Sequence, residues 1–118
     1  MPLVTFDDTT ETDHKVAGYS DGQGSVLRSE HFEAIRLRFE KGKGAKPHSH
    51  PEEQLAFVLS GRLKVTAGDD SYEVGPGQAT FNPSGIEHQV VALEDTEVLS
   101  FKAPLISTDY EATGKLGG

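Results

Sequence analysis

The feature that most constrains this chain is the period of its apolar residues. They alternate with polar residues in short runs, and turn residues interrupt each run before a helical stripe can build up. In Phe32 to Glu40, Ile35, Leu37 and Phe39 share one face while Arg36, Arg38 and Glu40 share the other. A period of two marks a strand half-buried in a sheet. Lys41-Gly42-Lys43-Gly44 breaks that run. Gln54 to Leu59 reads as a short buried strand, turned by Ser60-Gly61. Arg62 to Thr66 alternates again, and Gly68-Asp69-Asp70 is a hairpin signal. Ser71 to Val74, Ala79 to Asn82, His88 to Leu93 and Glu97 to Ala103 follow, separated by Gly75-Pro76-Gly77, Pro83-Ser84-Gly85 and Glu94-Asp95. No stretch sustains a helical period. About seven or eight strands with closely spaced turns predict an all-β antiparallel sandwich or barrel. Periodicity alone leaves an open sandwich without a pocket as the alternative.

The length of 118 residues predicts one domain. Residues 1–25 read as an N-terminal arm, 26–103 as the β-domain and 104–118 as a C-terminal tail. The core is expected at Ile35, Leu37, Phe39, Leu55, Phe57, Val58, Leu63, Val65, Phe81, Val90, Val91, Leu99 and Phe101. A formal charge of −8, from 19 acidic and 11 basic residues, disfavours nucleic acid and anionic membrane surfaces as partners. The absence of cysteine removes disulfides, thiolate metal sites and cysteine nucleophiles. Met1 to Thr12 is polar and acidic with no apolar h-region, and no apolar run approaches spanning length. A cytoplasmic protein is the expectation.

The chain has five histidines: His14, His31, His48, His50 and His88. His48 and His50 are two apart, so on extended backbone both imidazoles point to one face. Two imidazoles at that separation make half of a metal site. Gln54 keeps the same parity and opens the next strand. His88 follows the Pro83-Ser84-Gly85 turn and starts a strand that can approach the first pair. His14 and His31 stand apart from this pattern and read as surface or partly buried histidines.

The punctuation around these residues resembles the two signature motifs of the cupin superfamily. The first is Gly42, five residues, His48-Ser49-His50, three residues, Gln54, six residues and Gly61. The second is Gly77, five residues, Pro83-Ser84-Gly85, two residues, His88, three residues and Ala92. Gln54 stands where the family usually has Glu, and Ala92 where it has Asn. The resemblance implies an antiparallel double-stranded β-helix, a jelly-roll barrel, with one divalent metal held by His48, His50, Gln54 and His88. Nitrogen and oxygen ligands suit Zn, Fe, Mn, Co or Ni without choosing among them. Three imidazoles and a neutral amide leave the ion's charge uncancelled, which strengthens it as a Lewis acid and favours anionic substrates.

The last strand offers two registers. If Leu99 and Phe101 face outward, Ser100 and Lys102 enter the pocket, as a hydroxyl and a cation suited to a carboxylate substrate. In the opposite register Lys102 ends the strand in solvent. Glu52 and Glu53 read as exposed rim residues. The resemblance implies a metal-dependent enzyme on a small polar or anionic molecule, by redox-neutral chemistry of the isomerase, cyclase or lyase type. The Gln54 site resembles small cupins that remodel unsaturated sugar acids. Those carry Asp and Arg where this chain has Ser100 and Ile106. The alternatives are an iron-dependent dioxygenase, a non-catalytic module that binds or senses a small ligand, and a metal-free structural barrel. Leu55, Phe57 and Leu59 also form an apolar face that needs cover, which together with the family habit predicts a homodimer.

Overall fold

The computed structural model describes residues 20–106, together with Leu3 and two short strands outside that span. The strands are β1 (Thr12–Asp13), β2 (Gln23–Arg28), β3 (Glu33–Phe39), β4 (Gly44–His48), β5 (Glu53–Ser60), β6 (Leu63–Ala67), β7 (Asp70–Val74), β8 (Ala79–Asn82), β9 (His88–Ala92), β10 (Thr96–Ala103) and β11 (Gly114–Lys115). One sheet runs β1-β2-β3-β10-β5-β8, with β11 also on β2. The other runs β4-β9-β6-β7. All pairs are antiparallel except the short β11–β2 pair. This is an all-β jelly-roll barrel, and among the described residues no helix is long and apolar enough to cross a membrane.

The registers arrange the larger sheet's inner face in rows. At one end Arg28, Glu33, Lys102, Gln54 and Asn82 stand side by side across five strands. The next row is Val26, Ile35, Ser100, Ala56 and Thr80. Beyond it lie Gly24, Leu37, Val98 and Val58. The interior therefore grades from polar at one end to apolar at the other. The facing sheet repeats the gradient: His48 pairs with His88 at the polar end, and Leu63, Val65, Val74 and Ala92 fill the apolar end. Each buried Val, Leu or Ile contributes roughly 1.5–3 kcal/mol. The apolar end is thus what holds the sheets together, and the polar end is free to carry chemistry.

Several expected core positions face the other way. Leu55, Phe57, Phe81, Val91 and Phe101 are exposed, and Leu99 is half-buried. Alanine and valine, Ala56 and Val58, occupy the inner face of β5 instead. Both faces of this strand are apolar, so alternation did not reveal which faces inward. The narrow space between the sheets accepts the smaller set and leaves the larger one outside.

Among the longer strands, alternation does not mark β2 and β4. Strand β4 contains Pro47, which a strand interior rejects but an edge strand tolerates. It is an edge strand here, and its register against β9 shifts between Ala45 and His48. Gly44 allows the close approach of these strands, because a Cβ there would lie 1.9 Å from the Val90 carbonyl oxygen. At the other edges, the Tyr72 hydroxyl of β7 meets Thr80 Oγ1 of β8 and ties the two sheets.

Candidate metal centre

His48 closes β4, His50 sits in the loop that follows, and His88 opens β9 beside His48. Their ring nitrogens lie within 4.8 Å of one another, a span that one ion can bridge. The ring centroids are 4.2 Å apart for His48 and His88, 4.9 Å for His50 and His88, and 5.7 Å for His48 and His50. The turn before His88 is set by Gly85, whose φ of +76° suits glycine and whose N–H donates to the His50 carbonyl at 2.9 Å.

The backbone fixes how each ring is presented. His48 Nδ1 donates to Lys46 O at 2.6 Å, His50 Nδ1 to Glu52 O at 3.0 Å and His88 Nδ1 to Ile86 O at 3.0 Å. A carbonyl only accepts, so each Nδ1 carries a proton and each neutral ring keeps its lone pair on Nε2. Such second contacts are what orient histidine ligands in metal proteins. His88 is pushed down from 6.5 to about 4, mainly by burial, with His48, His50 and Lys102 acting in the same direction and the Ile86 carbonyl opposing. It is therefore neutral and able to ligate over the physiological range.

These residues fit a divalent metal on their own geometry. The Nε2 of His88 is buried with no hydrogen-bond partner among the described residues. An orphaned lone pair of this kind is costly unless a donor or a cation meets it. Gln54 extends the arrangement: its Oε1 lies 3.3 Å from His50 Nε2 and accepts from Asn82 Nδ2 at 3.4 Å, while its Nε2 donates to Ser100 Oγ at 2.8 Å.

Below the imidazoles lies a cavity of about 60 Å³. His48, His88, Gln54, Asn82, Ser100 and Lys102 form its polar wall, and no carboxylate is among its lining residues. Ser100 and Lys102 face inward, both buried, so the register with Leu99 and Phe101 outward is the one adopted and Lys102 does not end in solvent. Its Nζ is 3.8 Å from Glu33 Oε1, and Glu33 Oε2 is held by Arg28 at 2.6 and 2.9 Å.

Glu52 departs from its expected place on the rim, while Glu53 is exposed as expected. Glu52 is fully buried, its backbone oxygen accepts from the His50 Nδ1–H, and its Oε2 accepts from the Ile106 N–H at 3.1 Å. It pins the segment after β10 against the histidine loop. Nothing in its local sequence distinguishes it from Glu53 except parity with His48 and His50. His31 is exposed, and His14 lies outside the described residues.

The cupin domain model matches residues 35–101, more than half of the chain, and spans both histidine motifs. The chain belongs to the cupin family. This cupin is 31% identical over 72 residues to oxalate decarboxylase OxdC of Bacillus subtilis (strain 168), covering 57% of this chain and 19% of that protein. It is 31% identical over 68 residues to dimethylsulfoniopropionate lyase DddQ of Ruegeria pomeroyi, covering 57% of this chain and 34% of that protein. The chain thus spans about a fifth and about a third of these two relatives. Among solved structures it resembles KdgF from Halomonas sp., with a TM-score of 0.62, 28% identity, and coverage of 65% of this chain and 73% of that one.

Proposed function

We propose that this cupin binds one divalent transition metal through His48, His50, His88 and Gln54 and acts on a small carboxylate by redox-neutral chemistry. The observation that carries the reading is the common tautomer of the three imidazoles, which leaves the ligating lone pair of each on Nε2, in rings that each bring a nitrogen within 4.8 Å of the others. A divalent ion there supplies Lewis acidity towards a ligand oxygen. The chain's own residues do the rest. Lys102 and Ser100 hold the carboxylate group, and the apolar floor beneath them excludes water. A cavity of about 60 Å³ restricts the substrate to a few heavy atoms. Two relatives named as an oxalate decarboxylase and a dimethylsulfoniopropionate lyase act on small carboxylates by bond cleavage, which supports a lyase-type reaction here.

The absence of a carboxylate from the cavity lining favours a second reading, a module that binds its ligand without turning it over. The two differ in one measurement: a catalyst loses activity on chelation, whereas a module retains ligand affinity when the metal is removed. In either case the chain pairs with a second copy through the outer face of β5, β8 and β10, where Leu55, Phe57, Leu59, Phe81 and Phe101 are exposed together.

The deciding experiment is elemental analysis of protein purified without added metal, beside the His48→Ala/His88→Ala variant. About one equivalent of a transition metal is expected in the wild type and none in the variant, following the one-site arrangement. Negligible metal in both, with no uptake on titration, would sink the proposal.

A further inference from the structure

The row Lys102, Gln54 and Asn82 crosses β10, β5 and β8 on the inner face, directly under the imidazoles. Asn82 is buried at 2% exposure and lines the cavity, yet its Oδ1 finds no hydrogen-bond partner among the described residues. A buried amide oxygen without a partner costs about 1–3 kcal/mol. In a cavity wall, that cost points to a ligand atom that donates to it.

The polarity of the row is not arbitrary. Asn82 Nδ2 donates to Gln54 Oε1, and Gln54 Nε2 donates to Ser100 Oγ. Turning both amides over gives a second consistent set, with Gln54 Nε2 donating to His50 Nε2 and to Asn82 Oδ1. A cation among the imidazoles excludes that second set, because it needs Gln54 Oε1 rather than an N–H facing it. With Gln54 so held, Asn82 spends an N–H on Gln54, and its Oδ1 is the atom left without a donor in the cavity wall. Ser100 accepts from Gln54 and keeps its own proton to donate. Lys102, 3.8 Å from Glu33 Oε1, adds a cation on the far side of Gln54.

We infer that Asn82 is a specificity residue, and that the site takes a small carboxylate bearing a hydroxyl group beside the carboxyl. The carboxylate accepts from Lys102 Nζ and Ser100 Oγ, and the hydroxyl donates to Asn82 Oδ1. A hydroxyl-free acid leaves Asn82 Oδ1 buried and unpaired, the situation that gives polar sites their strongest discrimination. This rests on the metal reading above, since the ion selects the polarity of the row.

The test uses Zn(II) as the metal and glycolate and acetate as the ligands, titrated calorimetrically into the zinc-loaded chain. Glycolate chelates zinc more readily than acetate by itself, so the informative quantity is the change in their affinity ratio on substitution. Asn82→Leu, of similar shape without the acceptor, is expected to lower the ratio about tenfold, the equivalent of one lost hydrogen bond. Lys102→Met is expected to weaken both acids and leave the ratio in place. If Asn82→Leu fails to fold, Asn82→Asp, which keeps an acceptor, should weaken both acids while preserving the ratio. An unchanged ratio in Asn82→Leu, a lost ratio in Asn82→Asp, or no binding of either acid to zinc-loaded wild type would overturn the inference with the metal reading intact. Failure of the wild type to take up zinc would overturn the metal reading itself, and the row's polarity with it.

Discussion

His50 Nε2 and Gln54 Oε1 face each other at 3.3 Å, and both are acceptors when the His50 Nδ1–H donates to the Glu52 carbonyl at 3.0 Å. Two lone pairs repel at this distance unless a cation lies between them or the amide turns over to donate its N–H, so it is the proposed ion that would bring Gln54 Oε1 into the ligand set. Replacing Gln54 with Leu should weaken zinc binding about tenfold, roughly 1.4 kcal/mol. A competition titration against a chromogenic chelator reads this directly. Unchanged affinity would remove Gln54 from the ligand set.

Protonation of His88 should set the acid limit of the metal-free protein. Its folded pKa lies at about 4, below the 6.5 of an ordinary histidine, chiefly because the ring is buried. Between these values the unfolded chain takes up a proton that the folded chain refuses. The stability contributed by the neutral buried ring is thus complete above pH 6.5 and is lost as the pH falls towards 4. The melting temperature of chelator-treated wild type should fall across that window more steeply than that of His88→Asn. Parallel profiles would show that burial of His88 does not govern it.

Removing the carboxylate between two cations should cost more than removing one of the cations. Glu33 is buried, paired with Arg28 at 2.6 Å and with Lys102 at 3.8 Å. Glu33→Gln deprives both of the charge they share and is expected to cost about 3 kcal/mol in urea unfolding. Lys102→Met keeps the Arg28 contact and a similar side-chain length, so it should cost about 1 kcal/mol or less. The reverse order would mean that the row is held together by Lys102.

The outer apolar face supplies a prediction about assembly. Phe81, half exposed at 52%, stands beside Leu55 in the β5–β8 register. Phe81→Lys should shift the chain from dimer to monomer in size-exclusion chromatography at micromolar concentration, with its circular dichroism unchanged. A wild type that is already monomeric at that concentration would dispose of the dimer.

Some of this was readable along the chain because it depends on local geometry. Alternation places Ile35, Leu37 and Phe39 on one side of β3, and all three are buried. Residues two apart on extended backbone share a face, which brings His48 and His50 to one side, and the turn ending at Gly85 returns His88 to them. Where alternation carries no contrast, the reading failed. Strand β5 is apolar on both faces, and β4 has a proline and two lysines around it, so neither its inner face nor its existence was marked.

By itself, then, the sequence determined the all-β class, the turn positions and the identity of the three clustered histidines, since each follows from the stereochemistry of a few consecutive residues. Only the tertiary structure decided that Ser100 and Lys102 face inward, that Glu52 is buried, and that Arg28, Glu33, Lys102, Gln54 and Asn82 form one row. Those facts depend on register between strands far apart in the chain. A shift of one residue in any strand would turn that strand's member of the row to the other face. Packing between the two sheets selects among the registers, because it admits small side chains such as Ala56 and Val58 and turns the larger phenylalanines out.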